Sequence, residues 1–207
     1  MAFFARLGWC SGLRKNAFPS SPSSFLFSRR ICTIRKVATM STASFPSTPD
    51  LCDEFEETIR IVDPSLGFRN FGGKTRFGGQ VVTVKCFEDN SLVKQLAKTD
   101  GRGKVMVVDG GGSRRRALLG DQVALDCVKS GWEGLVIYGS IRDVDEIGEL
   151  ELGVQTLGPA PMKTIKRNEG QTEIPVTFGG VTFANGDCVV CDNNGIVVNE
   201  QDMRNQK

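Results

Sequence analysis

Two short apolar runs with an amphipathic segment between them constrain the fold of this chain most strongly. Lys104–Asp109 and Gly134–Tyr138 have the length and continuous hydrophobicity of buried strands. Asp121–Lys129 places its apolar side chains on one side of a helix, and Gly131 follows as a stop signal. Two strands joined through a helix lie parallel, with a right-handed crossover. The pattern therefore predicts an α/β domain with a parallel strand–helix–strand core.

Other elements are predicted on the N-terminal side of this core. A first helix, capped by Thr48 or Asp50, is predicted to run through Ile61. Phe68–Gly79 is rich in glycine and aromatic residues and is predicted to be a loop, whereas Gln80–Phe87 alternates as a strand does. A short helix is predicted after that strand, at residues 90–97.

The C-terminal part is predicted to consist of short antiparallel strands. Gly179-Gly180, Asn185-Gly186 and Asn193-Asn194-Gly195 are turn signals typical of hairpins. The predicted strands are Leu152–Leu157, Ile174–Phe178, Val181–Phe183, Asp187–Cys191 and Gly195–Val198.

The first 45 residues differ in composition from the rest of the chain. Residues 1–49 contain seven Lys or Arg, thirteen Ser or Thr and no Asp or Glu, which is typical of an organelle transit peptide. We therefore predict a plastid or mitochondrial presequence or a disordered extension over residues 1–45, and a catalytic domain over 46–207. Translation from Met40 would instead give a cytoplasmic form. No stretch approaches the roughly 20 apolar residues of a membrane span.

Composition also excludes several classes of function. The rest of the chain carries 19 basic and 24 acidic residues, which gives no electrostatic case for direct nucleic-acid binding. The chain has no histidine, so histidine bases and histidine-ligated zinc sites are excluded. Cys188 and Cys191 form the only CxxC pattern, but residues three apart on a strand point to opposite faces. The cysteines are therefore predicted to be reduced and packed.

The candidate site is Asp121, followed after twenty residues by Arg142-Asp143. The Gly120 turn leads into the predicted helix, and Arg142-Asp143 leaves the end of the neighbouring strand, so both segments should lie outside the carboxyl ends of the strands, where ligands of α/β sheets bind. The amides of Gly120, Asp121, Gln122 and Val123 at the start of a helix favour an anion. Arg142 suits a carboxylate and Asp143 a hard divalent cation. A small oxoacid held on a metal is the ligand that fits these groups.

Structural explanations compete with this interpretation. Asp121 is well placed to be a helix N-cap, and Arg142-Asp143 could be a surface ion pair. The loop Gly110-Gly111-Gly112 suggests a nucleotide or methyltransferase loop, but it lacks the G-x-G-x-x-G register and the P-loop lysine. We interpret it as a structural turn, and Arg114 and Arg116 after it as solvated.

Residues from about 50 to 203 resemble the family that contains class II 4-hydroxy-4-methyl-2-oxoglutarate aldolases and the regulator of ribonuclease activity A. The stretches that carry the resemblance are VVTVKCFEDN (81–90), VVDGGGSRRRALLGD (107–121), GWEGLVIYGSIRDVDEI (131–147), LGVQTLGPAPMK (152–163), IPVTFGGVTF (174–183) and GIVV (195–198). The aldolase signature of that family, an Asp, twenty residues and Arg-Asp, matches Asp121, Arg142 and Asp143. Arg115 also matches the family pattern, whereas Arg114 and Arg116 depart from it.

The resemblance implies a single swivelling β/β/α-type domain, with subunits in a homotrimer or a hexamer. It implies cleavage of 4-hydroxy-4-methyl-2-oxoglutarate to two pyruvates and decarboxylation of oxaloacetate, with Mg²⁺ or another divalent cation such as Mn²⁺. Gly120 to Val123 correspond to the substrate-binding amide loop and Arg142 to the substrate arginine. Asp143 corresponds to the metal ligand, and Asp121 to the carboxylate that holds a water beside the metal.

The resemblance leaves two functions to be compared. The first is a metal-dependent lyase that acts on 2-oxo acids through a pyruvate enolate. The second is a non-catalytic regulator that binds and inhibits an RNase E-type endoribonuclease, because one scaffold hosts both kinds of protein. The complete set of Asp121, Arg142 and Asp143 favours the enzyme, and a methyltransferase is disfavoured by the missing cofactor motif.

Overall fold

The computed structural model describes residues 45–204, which form a ten-stranded mixed β-sheet with helices on one face and a separate two-stranded hairpin on the other. The predicted transit peptide, Cys10 and Cys32 lie outside these residues. The helices are α1 (Thr48–Glu54), α2 (Ser91–Leu96), α3 (Asp121–Lys129) and α4 (Val144–Gly148), and Pro64–Leu66 forms a 3-10 turn. The strands are β1 (Arg60–Ile61), β2 (Arg69–Asn70), β3 (Phe77–Lys85), β4 (Lys104–Asp109), β5 (Ala117–Leu119), β6 (Gly134–Ile141), β7 (Gly153–Pro159), β8 (Gln171–Thr172), β9 (Val176–Phe178), β10 (Val181–Phe183), β11 (Cys188–Cys191) and β12 (Ile196–Asn199).

The sheet has a parallel centre and antiparallel edges. Its strand order is β1-β12-β11-β3-β4-β6-β7-β2, with β5 added beside β6 and β8 beside β3. Strands β3, β4, β6 and β7 run parallel to their neighbours in this series, and β5 is parallel to β6. The predicted parallel pairing across α3 is confirmed. β7 was predicted as antiparallel, and this is wrong because it pairs with β6 in parallel. The segment with α4 returns the chain to the end of the sheet at which β6 begins, so β7 starts beside the start of β6.

Alternate side chains of the central strands fill two different cores. Met106 and Val108 of β4 pack with α2, α3 and α4 on the helical face. Val105 and Val107 of the same strand pack with the β9–β10 hairpin on the opposite face. This alternation follows from the two-residue period of a strand. The resulting hairpin, sheet and helix layers confirm the β/β/α-type fold.

The N-terminal elements differ from their predictions. Helix α1 ends at Glu54, where the Phe55 amide donates to the Leu51 carbonyl, so the predicted continuation to Ile61 is wrong. Residues 60–61 form β1 against β12 because Arg60 donates to the Asp187 carboxylate and binds the sheet edge. The predicted loop at 68–79 is also partly wrong, since it contains β2 and the start of β3.

The CxxC segment is β11, and its cysteines point to opposite sides as predicted. Cys191 packs in the core under the hairpin, whereas Cys188 packs against α1. Burial raises the pKa of both thiols, which keeps them protonated. All the cysteines in residues 45–204 are free thiols. None of the helices described for this range is both long and apolar enough to cross a membrane.

Gly153→Ala should destabilise the fold, because a Cβ at Gly153 would overlap the Phe77 ring. Overpacking of this kind costs about 1–3 kcal/mol in the free energy of unfolding, measured by urea denaturation. Phe77→Leu should relieve part of that cost in the double variant.

Gly195→Ala is the matched control, because a Cβ there would meet no atom within 4 Å. Its free energy of unfolding should change by less than about 0.5 kcal/mol. Equal effects of Gly153→Ala and Gly195→Ala would contradict the packing of Phe77 over this part of the sheet.

Candidate active site

Pairing of β5 with the end of β6 brings the two predicted site segments together. Leu119 of β5 lies opposite Ile141 of β6, and the Arg142 amide donates to the Leu119 carbonyl at 3.0 Å. Gly120 connects β5 to α3, and Arg142-Asp143 connects β6 to α4. The segments therefore meet at the carboxyl ends of two parallel neighbours, where ligands of α/β sheets bind.

Gly120 allows the closest approach within the site. A Cβ on Gly120 would lie 2.7 Å from Oδ2 of Asp143 and 3.1 Å from Nε of Arg142. Gly120 has an extended backbone, with φ of −141°, so the glycine is required by space and not by conformation. Any larger residue would displace the two charged side chains from their places beside α3.

Arg142 and Asp143 form a partly exposed ion pair with unused binding capacity. Nε of Arg142 lies 3.2 Å from Oδ2 of Asp143. The terminal guanidinium nitrogens of Arg142 make no hydrogen bond to any described residue, so they remain available to a carboxylate. Asp143 adopts the left-handed conformation, with φ of 56° and ψ of 46°, which is uncommon outside glycine and marks a constrained turn.

Asp121 is the first residue of α3, and Gly120 is the N-cap, so the N-cap explanation for Asp121 is wrong. Oδ2 of Asp121 accepts a hydrogen bond from Nε2 of Gln122 at 2.8 Å. Hydrogen bonds from Gln122, together with Asp143 and the Arg142 charge, lower the pKa of Asp121, although slight desolvation opposes them. Asp121 is therefore ionised at neutral pH.

The amides at the start of α3 are less free than the sequence suggested. The Asp121 amide donates to Oδ2 of Asp143 at 3.3 Å, and the Val123 amide donates to the Gly120 carbonyl at 3.1 Å. The amides of Asp121 and Val123 are thus already engaged. Arg142 is consequently the main group in this turn for binding a ligand carboxylate.

A cavity of about 240 Å³ lies over this turn and is lined by more cations than the sequence analysis identified. Gly120, Asp121 and Arg142 contribute to its wall. The additional cations are Lys94 of α2 and Lys163 and Lys166 of the segment after β7. A weak signal for the last two was present in the sequence, because PMKTIKR (161–167) is a short basic run beyond a predicted strand.

The segment carrying Lys163 and Lys166, residues 160–170, is called the basic loop here, and its N-terminal part is held at two points. The Ala117 amide donates to the Met162 carbonyl at 2.8 Å. Arg116 donates to the Lys163 carbonyl at 2.8 Å, so its interpretation as a solvated residue is wrong. Arg114 is exposed, as predicted.

The rest of the basic loop is anchored to the turn before α2. Thr164 donates its hydroxyl hydrogen to Oδ1 of Asn90 at 2.8 Å. The amides of Arg167 and Glu169 both donate to Oδ2 of the buried Asp89, at 2.7 and 3.2 Å. Burial by itself would raise the pKa of Asp89, but hydrogen bonds from Ser91, Arg167 and Glu169 outweigh it and lower the pKa to about 2.

The oxygen atoms of this turn suit a weakly held divalent cation. Within residues 45–204 no group of three His, Cys, Asp or Glu side chains is placed to hold a metal by itself. Oδ1 of Asp143 makes no hydrogen bond to a described residue, and the Asp121 carboxylate is adjacent. Mg²⁺ is typically bound by one or two carboxylates, waters and substrate oxygens, so the residues fit that kind of site.

The glycine loop after β4 is a structural turn, as predicted. The amides of Gly110 and Gly112 donate to the Tyr138 carbonyl, and the Gly111 amide donates to Asp109. A Cβ on Gly112 would lie 2.9 Å from the Tyr138 ring. The amides that a nucleotide or methyl-donor cofactor would need are already bonded within the protein.

A larger cavity of about 630 Å³ lies elsewhere, between the 3-10 turn and the β11–β12 turn. Its buried carboxylate, Asp192, accepts hydrogen bonds from Thr48, Asn194 and Gly195. Gln155 in its wall donates to the Asp192 carbonyl. Because these polar groups are already satisfied, the smaller cavity at Arg142 is the stronger candidate for chemistry.

Comparison with known proteins agrees with the resemblance found in the sequence. The family model described as "RraA-like: Aldolase/RraA" matches residues 48–198. A protein of Azotobacter vinelandii named "Putative 4-hydroxy-4-methyl-2-oxoglutarate aldolase" is 59% identical over 157 residues, covering 76% of this chain and 96% of that protein.

Solved structures with this fold carry other names. One, described as an S-adenosylmethionine: 2-dimethylmenaquinone methyltransferase from Geobacillus kaustophilus HTA426, has a TM-score of 0.74 and 42% identity, covering 76% of this chain and 96% of its own. Another, described as the RNA-processing inhibitor RraA from "Thermus thermophilis", has a TM-score of 0.72 and 36% identity, covering 75% of this chain and 93% of its own. The fold is thus shared by proteins that are described by different functions.

Asp89→Asn should loosen the basic loop and destabilise the protein at neutral pH. Because the carboxylate has a pKa of about 2 instead of 3.8, its ionisation contributes about 2 kcal/mol above pH 4. This contribution is lost as the pH falls from about 4 to about 2. Urea denaturation should therefore show a difference between wild type and variant at pH 7 that shrinks at pH 3.

Asp53→Asn removes an exposed carboxylate on α1 and is the control. Its free energy of unfolding should stay within about 0.5 kcal/mol of wild type at both pH values. A difference between Asp89→Asn and wild type that does not change between pH 7 and pH 3 would contradict the charge-based anchor.

Proposed function

The chain belongs to the RraA-like family, and from that membership and the carboxylate-binding turn we propose that it is a metal-dependent lyase of 2-oxo acids. Its proposed reactions are cleavage of 4-hydroxy-4-methyl-2-oxoglutarate to two pyruvates and decarboxylation of oxaloacetate. The observation that carries the proposal is that the turns after β5 and β6 converge at the carboxyl ends of these strands. They bring together Gly120, Asp121, Arg142 and Asp143. The name of the relative from Azotobacter vinelandii supports the same substrate.

Both proposed reactions produce the enolate of pyruvate. In the cleavage, the 4-hydroxyl loses its proton, the C3–C4 bond breaks, and its electron pair forms the enolate, which is then protonated at C3. In the decarboxylation, the electron pair comes from the bond to the departing CO₂. Asp143 would hold a divalent cation, which when bound would supply positive charge at the 2-oxo group, where negative charge develops.

The residues of the chain have separate parts in this proposal. The free guanidinium nitrogens of Arg142 bind the carboxylate beside the 2-oxo group and fix its orientation. Asp121 is anionic and partly exposed, so it can accept the proton of the 4-hydroxyl through a water molecule. Gly120 leaves the space in which Arg142 and Asp143 lie side by side.

A second function is favoured by one comparison. The structure that is 36% identical is described as an RNA-processing inhibitor. The corresponding candidate is a binding protein that docks on an RNase E-type endoribonuclease. Such a surface has no need of an arginine with unused donors beside a carboxylate, so the lyase is the better supported proposal.

Arg142→Ala should lower kcat/KM for pyruvate release by at least about 100-fold, because the carboxylate loses its bidentate partner. Wild type should require Mg²⁺ and lose turnover in EDTA, and Asp143→Ala should lose turnover in Mg²⁺. Both 4-hydroxy-4-methyl-2-oxoglutarate and oxaloacetate would be assayed by coupled detection of pyruvate.

Arg114→Ala is the matched control, because Arg114 is exposed and lies outside the cavity wall. Its kcat/KM should stay within about twofold of wild type. Unchanged kcat/KM in Arg142→Ala would contradict the site assignment. A folded wild-type protein that turns over neither substrate would instead favour the nuclease-binding candidate.

A further inference from the structure

The turn after β3 carries a carboxylate that holds the segment leading into β5. Glu88 accepts hydrogen bonds from the Ser113 hydroxyl and from Nε of Arg115, both at 2.7 Å. Its other carboxylate oxygen lies 3.7 Å from Nε of Arg116. The Glu88 side chain is 14% exposed, so these contacts are partly shielded from water. Residues 113–116, which end where β5 begins, are therefore fixed to the carboxyl end of β3.

The conformation and the charge of Glu88 both indicate a constrained residue. Its φ of 53° lies in the left-handed region, which is uncommon for residues other than glycine. Such a conformation persists where the surrounding contacts fix it. Hydrogen bonds from Ser113 and Arg115, with the charges of Arg115 and Arg116, lower the pKa of Glu88, although desolvation opposes them. The carboxylate is therefore ionised at neutral pH, as its contact with two guanidinium groups requires.

Strand β5 does not define its own register. It has three residues, all of them buried, so no alternation of buried and exposed side chains specifies its alignment. Its pairing with β6 also shifts register between Ala117 and Leu119. Gly120 follows immediately, and a Cβ there would lie 2.7 Å from Oδ2 of Asp143. A shift of β5 by one residue, about 3.3 Å, would therefore remove Gly120 from this position.

The contacts of Arg116 extend the effect of Glu88 to the basic loop. Arg116 donates to the Lys163 carbonyl at 2.8 Å. The next amide, that of Ala117, donates to the Met162 carbonyl at the same distance. Ala117 thus pairs with the basic loop on one side and with β6 on the other. β5 is the element that joins these two walls of the cavity.

We infer that Glu88 is a positioning residue of the candidate active site. By holding residues 113–116 it sets the register of β5, and this register places Gly120 beside Arg142 and Asp143. Glu88 does not line the cavity, so it acts on a ligand only through these residues. The expected effect on ligand affinity rests on the proposed function, whereas the expected effect on β5 does not depend on any ligand.

Amide hydrogen exchange of the full chain without ligand tests the hold on β5. Glu88→Gln keeps the length of the side chain and an acceptor for Ser113, but it removes the charge that pairs with the arginines. The amides of Ala117 and Arg142, which bind β5 to its neighbours, should exchange at least about threefold faster in this variant. Amides in the centre of β4 should exchange as in wild type, because a general loss of stability would accelerate them as well.

A double-mutant cycle with pyruvate in Mg²⁺ tests the link from β5 to the site. Calorimetric titration should show Glu88→Gln binding pyruvate about three- to tenfold more weakly than wild type. In a Gly120→Ala background the same change should weaken binding by less than about twofold, because both changes act on the same spacing. A purely structural role of Glu88 would not produce this coupling.

Glu169→Gln is the matched control, because Glu169 forms an exposed ion pair with Arg167 and lies outside the cavity wall. It should leave exchange and affinity unchanged. Unchanged exchange of the β5 amides in Glu88→Gln would overturn the inference, and so would faster exchange with wild-type affinity for pyruvate. Failure of wild type to bind pyruvate, with faster exchange in the variant, would overturn the proposed function and support the hold of Glu88 on β5.

Discussion

The parallel pairing of β5 with the end of β6 is the interaction on which the candidate site depends. β5 has only three residues, yet it places Gly120 beside Arg142 and starts α3 at Asp121. The backbone bond from the Arg142 amide to Leu119 continues this pairing into the turn. A small change in that register would separate the guanidinium from the helix start, because both lie directly after their strands.

The polar groups around this turn are divided between holding the site and binding a ligand. Asp89, Asn90 and Arg116 use their hydrogen bonds on the basic loop, and they fix the cavity wall. Arg142 and Lys94 keep donors that no described residue uses. This division is what a preorganised anion site requires, because the cost of ordering its walls is met during folding and not at each binding event.

Much of the core was predictable from the sequence, since β4, α3 and β6 have strong patterns of their own. The Asp121 and Arg142-Asp143 motif was also visible, because Asp121 starts a predicted helix and Arg142-Asp143 comes shortly after a predicted strand. β5 was missed because three apolar residues after a run of arginines have no periodicity, and only the pairing with β6 defines them. The lysines of the cavity were missed because their positions depend on contacts such as Thr164 to Asn90, which are 74 residues apart.

Pyruvate binding to Gly120→Ala is the most direct test of the central claim that Gly120 allows Arg142 and Asp143 to form one carboxylate site. The added methyl group meets only side-chain atoms that can move, 2.7 and 3.1 Å away, so the fold should tolerate it. The account predicts an unchanged thermal unfolding midpoint and at least about tenfold weaker pyruvate binding in Mg²⁺ by calorimetry. Wild-type affinity for pyruvate in this variant would contradict it.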